Sequence, residues 1–132
     1  RIRMLFFVDK LEYRETFIIV TGRTSIGTIK GIWKHIKEPV VEKSYCIELS
    51  ICNPKEVKAS KENCFFSVYL DNEDVIFTGL CEDIDDEVYY LRFAADWLDM
   101  LDIEAIIPRK NKGDYISFSA NWHDIGIYPY DL

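Results

Sequence analysis

The sequence predicts a single, mainly β or α+β domain over residues 1–132, with seven or eight mostly antiparallel strands forming a sandwich or open barrel and one short helix near 94–102. Three observations carry that expectation. Between Cys64 and Phe93, apolar runs at 65–70, 75–80 and 88–93 are rich in Val, Phe and Tyr. The acidic connectors Asp71-Asn72-Glu73-Asp74 and Glu82-Asp83-Ile84-Asp85-Asp86-Glu87 separate them, as in an antiparallel meander. Residues 45–51 alternate strictly: Tyr45, Ile47, Leu49 and Ile51 share one face, and Cys46, Glu48 and Ser50 the other. Finally, 132 residues at 48% hydrophobic and 30% charged can bury one core without disulfide staples.

In chain order, 2–8 reads as a first strand and 9–12 as a turn. A second strand over 13–21, with residues 17–20 buried, ends in a turn at Thr21-Gly22-Arg23-Thr24. Gly27 and Gly31 make 25–33 a bulged strand or a loop, and Pro39 makes 34–42 a loop. Strand 45–51 has a firm register, because a slip of one residue sends its large apolar groups to solvent. It stops at Asn53-Pro54, and the polar stretch 55–63 reads as a loop. After the meander the period changes. Ala94, Trp97, Leu98 and Leu101 follow i, i+3, i+4, i+7, the spacing of one helical face, with Asp96 placed as its N-cap. Continuation of the strand is the competing reading. Residues 103–107 are apolar up to Pro108, and 109–114 form a basic turn. From 115 to 122 the alternation returns, with Ile116, Phe118, Ala120 and Trp122 on one face. The expected core comprises Phe6, Ile19, Ile47, Leu49, Ile51, Val68, Phe77, Leu91, Phe118 and Trp122.

The net charge of −7 is unevenly spread. Residues 1–44 hold nine Lys/Arg against five Asp/Glu, whereas 71–104 hold twelve acids and one base, Arg92. Phosphate binding needs clustered cations, so nucleic acid is an unsuitable partner for the main surface and a basic protein a suitable one. Acidic turns also keep a β-rich protein soluble and guard its edges, which is the competing account of the same charge. No apolar run is long enough to span a bilayer, so no membrane role is expected. The chain begins Arg1-Ile2-Arg3, a start that carries no information on targeting. Cys46, Cys52, Cys64 and Cys81 form no Cys-x-x-Cys pair and lie at no zinc-finger spacing from a His. They read as reduced thiols of a cytoplasmic protein.

No cofactor, metal site or catalytic residue is expected. Asp83, Asp85 and Glu87 invite a calcium loop, but the EF-hand positions for Gly and the bidentate Glu hold Val88 and Ala94. Gly27 and Gly31 match no phosphate-cradling motif. His35 and His123 lie in no nucleophile motif, and paired carboxylates in so acidic a chain carry no information from sequence alone. Trp97 stands among Asp96, Asp99 and Asp102. The helical spacing turns its indole to the core; exposed, it would be an interface anchor inside an acidic field.

Three segments, Tyr45-Cys46-Ile47-Glu48-Leu49-Ser50-Ile51, Val75-Ile76-Phe77-Thr78-Gly79 and Tyr89-Tyr90-Leu91-Arg92-Phe93, resemble those of small acidic bacterial immunity proteins of polymorphic or contact-dependent toxin systems. That resemblance implies a cytosolic, non-catalytic protein that binds and blocks one cognate toxin. The partner-binding residues expected from the charge map are Asp71, Glu73, Asp74, Glu82, Asp83, Asp85, Asp86, Glu87, Asp96, Asp99 and Asp102. The competing function is a carbohydrate- or small-ligand-binding β-domain that uses exposed Trp and Tyr.

Overall fold

The computed structural model describes residues 4–59, 65–86, 88–102, 112–130 and 132. Within them lie eleven strands: β1 (Met4–Tyr13), β2 (Ile18–Thr24), β3 (Gly27–Trp33), β4 (Ser44–Ile51), β5 (Lys55–Ala59), β6 (Ser67–Asp71), β7 (Asp74–Asp85), β8 (Val88–Ala94), β9 (Trp97–Asp102), β10 (Tyr115–Asn121) and β11 (Ile125–Pro129). The helical content among the described residues is one 3-10 turn, Trp122–Asp124. The fold is thus nearly all β and one domain, with more strands than the seven or eight expected.

Five strands close on themselves in the order β1-β2-β3-β11-β4 and back to β1. All contacts in this barrel are antiparallel except β3 with β11, where Gly126 faces Ile32 and Ile127 faces Trp33 in parallel. The expected sandwich or open barrel is therefore a closed barrel carrying an additional sheet. Residues between β4 and β11 build that sheet: β6, β7, β10 and β5 lie side by side, and β8 and β9 extend from the far half of β7. The two parts meet where Gly27 pairs with Val68. Gly27 has φ +144, and a Cβ there would lie 1.7 Å from the Val68 carbonyl oxygen, so only glycine fits.

One continuous core runs through both parts. Phe6, Val8, Val20, Ile29, Ile47, Ile125 and Ile127 fill the barrel side, and Phe77, Leu91, Phe93 and Phe118 the sheet side. Of the expected core, Ile51 is half-buried against this cluster and Trp122 stays outside it. Strand β10 ends at Asn121, whose side-chain oxygen caps the 3-10 turn by accepting from the His123 N–H, and the turn carries Trp122 off the inward face.

Several local expectations differ from the structure. The predicted helix at 94–102 is absent: Ala95 and Asp96 turn the chain and β9 pairs antiparallel with β8. Residues 9–12 continue β1 through a bulge at Asp9, whose carboxylate takes two hydrogen bonds from the Arg23 Nε, at 3.2 and 2.9 Å. Gly22 lies inside β2 because a Cβ there would sit 2.4 Å from the Phe7 carbonyl oxygen. Residues 55–59 form β5 on the edge of β10. The expected segment 103–107 lies outside the described residues.

Candidate protein-interaction face

Strand β7 has twelve residues and spans roughly 35 Å at about 3.3 Å per residue. Its two acidic ends are consequently far apart, and the acids expected to act together fall into separate groups. At the near end, the Asp71–Asp74 turn is mostly exposed, and two of its acids have partners within the molecule. Glu73 accepts the Trp122 indole N–H and lies 3.7 Å from the Lys30 ammonium. Asp74 lies 3.4 Å from the Lys55 ammonium, and Asp71 is exposed.

The far end differs. A bulge between Cys81 and Asp83 shifts the register, so that Asp83 faces Tyr90 and Asp85 faces Val88. On the next strand Tyr90 faces Met100 and Val88 faces Asp102. Residues directly opposed across strands share a face. One side of β7–β8–β9 therefore gathers Asp83, Asp85, Val88, Tyr90, Arg92, Leu98, Met100 and, by register, Asp102. Asp83, Asp85 and Asp86 are exposed; Val88, Tyr90 and Leu98 are half-buried; Met100 is 66% exposed. Arg92, the base on this face, is already engaged. Its guanidinium donates to the Glu82 carboxylate at 2.9 and 3.3 Å and to the Ala95 carbonyl at 3.1 Å. The Arg92 hydrogen bond in turn holds the Glu82 carboxyl below the usual carboxylate range. What remains is an aliphatic and aromatic centre with an acidic margin. Glu87 lies outside the described residues.

The opposite side of the same strands is core. Trp97 is 4% exposed and its ring lies 4.9 Å from that of Phe93 and 6.1 Å from that of Phe77. The indole is thus buried, as the spacing required, but from a strand. Its N–H donates to Asp99 at 2.6 Å. Burial pushes the Asp99 carboxyl up to about 6; the indole hydrogen bond opposes this and the nearby Glu48 adds to it. Asp99 belongs to the packing rather than to the open face. Asp96, in the β8–β9 turn, lines a groove of about 390 Å³ with Leu5, Phe7, Arg23, Thr24, Ser25 and Ser44.

Both histidines have local partners. His35 Nδ1 accepts the Lys37 N–H at 3.0 Å, and exposed His123 meets Phe17 edge-on at 6.5 Å. The Cys81 thiol is pushed up by burial, then by Asp114 and Asp83, which keeps it protonated. Cys46, Cys52 and Cys81 are free, and Cys64 lies outside the described residues. Among the described residues no three His, Cys, Asp or Glu side chains cluster to hold a metal ion, and no helix is long and apolar enough to cross a membrane. Of the residues on and beside this face, the charge map points to Asp83, Asp85 and Asp86 but not to Leu98 and Met100. The helical reading placed Leu98 in the core, whereas period-two alternation continued from 88 through 102 would have turned both outward.

Comparison with family models, curated proteins and solved structures gives no match.

Proposed function

We propose that this protein is a non-catalytic binding module that seats a basic protein on the β7–β8–β9 face. The reading includes a cytoplasmic immunity role, in which the bound partner is a toxin domain. One observation carries it: Met100, Tyr90 and Leu98 form an apolar centre beside Asp83, Asp85 and Asp86, while the face's base is tied to Glu82. Such a face adds electrostatic attraction to apolar burial, and the first governs association rate. The test is association with the purified product of the gene adjacent to its own, measured at low and physiological salt. The triple substitution Asp83→Lys, Asp85→Lys, Asp86→Lys is expected to slow association on the order of tenfold and flatten its salt dependence. An unaltered rate with retained binding removes these acids from the account.

The groove lined by Phe7, Arg23, Thr24, Ser25, Ser44 and Asp96 supports the second reading, a small-ligand or carbohydrate site. Arg23 lies over the Phe7 ring at 4.9 Å and is paired with Asp9 at 2.9 Å, and the Thr24 hydroxyl donates to the Gly27 carbonyl at 2.9 Å, so Ser25, Ser44 and Asp96 bring the other polar side chains of that groove. A glycan array with a thermal-shift readout separates the two, since a specific ligand raises the melting temperature of the protein alone.

A further inference from the structure

The groove beside Phe7 is walled by both parts of the fold, and strand register explains its make-up. Phe7 faces Arg23 on β2 and Ser44 on β4, so the three side chains form one row across adjacent strands. Leu5, two residues earlier on β1, continues that face and is 58% exposed. The β2–β3 turn adds Ser25, and the β8–β9 turn of the sheet adds Asp96. The groove's volume of about 390 Å³ falls within the roughly 300–1,000 Å³ of small-molecule sites.

Its polar groups have distinct roles. The Arg23 guanidinium lies over the Phe7 ring and turns Nε and Nη2 to the Asp9 carboxylate, between 2.9 and 3.2 Å. Both contacts fix its plane, and Asp9 matches its charge. Its Nη1 donors have no partner among the described residues. Asp96 is an exposed carboxylate, an acceptor that no described residue engages. The Ser25 and Ser44 hydroxyls can donate or accept. An anion would meet a guanidinium already neutralised and a second carboxylate. An ammonium suits Asp96 but offers the Nη1 donors no acceptor. An amino-acid zwitterion matches both ends, yet its carboxylate must share Arg23 with Asp9. A hydroxyl donates and accepts at once, so a neutral polyol serves Arg23, Asp96 and both serines together.

We infer that this groove binds a neutral pyranose, whose hydroxyls accept from Arg23 Nη1 and donate to Asp96 while its C–H side covers Leu5. The inference rests on the second reading above and names the ligand class of that site. It is independent of the β7–β8–β9 face. The guanidinium occupies one face of the Phe7 ring, so the exposed Leu5 side chain, rather than an open aromatic ring, supplies the apolar floor. Selectivity comes from the polar rim, because a site built to bond hydroxyls rejects a ligand that leaves its groups unpaired.

The probes are the methyl glycosides of glucose, galactose and mannose, which differ in the orientation of single hydroxyls, with free leucine as the zwitterion. Each is titrated into the intact, isotope-labelled protein and followed by amide chemical shifts. The expected result is saturable shifts from at least one glycoside at Arg23, Ser25, Ser44 and Asp96, with a dissociation constant on the order of millimolar for so small a ligand. Ser44→Ala and Asp96→Ala lie at exposed positions and are expected to keep the melting temperature of the free protein. Each should weaken glycoside binding about fivefold or more. The charge-reversed triple variant of the β7–β8–β9 face is expected to bind as the wild type does. Glycoside binding that both alanine substitutions leave intact overturns the inference, as does binding lost in the triple variant. Binding of leucine but of no glycoside overturns the pyranose and keeps the small-ligand reading. Silence from every probe removes both.

Discussion

Asp99 shows how one side chain ties stability to acidity. It sits beside the buried indole of Trp97, half-buried itself, with its carboxyl raised to about 6. A carboxyl raised in the folded state favours the fold in its protonated form. That contribution is whole below the ordinary Asp value near 3.8 and is lost as pH rises through about 6. Asp99→Asn retains an acceptor for the indole and removes the charge. We expect it to stabilise the protein at pH 7.5 by about 1–2 kcal/mol, less than the full linkage value because water reaches part of the group. It should also flatten the dependence of melting temperature between pH 4 and 7. A variant with the wild-type profile would show that the carboxyl is solvated after all. Trp97→Ala acts through packing instead: it empties the space against Phe93 and Phe77 and should cost ~3–5 kcal/mol in chemical denaturation.

Among the elements, β7 organises the sheet because its two halves take different neighbours along one edge. Val75 to Thr78 pair with β6, and Leu80 to Asp85 with β8, while β10 follows the other edge from Asp74 to Leu80. Gly79 marks the handover. A Cβ there would lie 2.7 Å from both the Arg92 carbonyl oxygen and the Phe93 ring. Gly79→Val should force β8 away and destabilise by more than about 3 kcal/mol, with Met100 and Asp85 amides exchanging faster. Strand β4 offers a sharper test of register. Ile47 is 1% exposed, so Ile47→Asp buries an unpaired charge and should abolish the cooperative melt.

These elements also show which parts of the fold were readable from residues. Strand β4 was readable because alternation and the Asn53-Pro54 stop agree. The stretch 94–102 was not, because Trp97 and Leu98 satisfy a helical stripe as well as two faces of a strand; contact with Phe77 and Phe93 decides between them. Gly22 signalled a turn by composition, yet its role is close approach to Phe7. Strand β5 carries Lys55, Glu56 and Lys58 because it is an edge, and edges look like loops in composition. The acidic margin of the candidate face was visible as charge. Its apolar centre required the pairing of β8 with β9.

For the molecule as a whole, barrel and sheet are joined near Trp122 by five groups from four segments. Phe17 lies 6.2 Å from the Trp122 ring, the Arg14 guanidinium and Lys30 ammonium lie 5.9 and 5.7 Å from its centroid, and Glu73 accepts its N–H. This clip is half in solvent and gives Glu73, still 64% exposed, an internal partner. Trp122→Ala should lower stability by about 1–2 kcal/mol and leave binding at the β7–β8–β9 face unchanged, as checked by denaturation and titration of the same sample. The barrel's closure has a consequence for how the chain matures. Strands β3 and β4 share one neighbour, β11, which lies beyond the whole inserted sheet in sequence. During synthesis the first four strands therefore wait with two raw margins while more than half the chain emerges. The meander, whose partners are close in sequence, can form meanwhile. The last stave can shut the cylinder only once residues 125–129 have left the ribosome, so closure of the barrel waits for their synthesis.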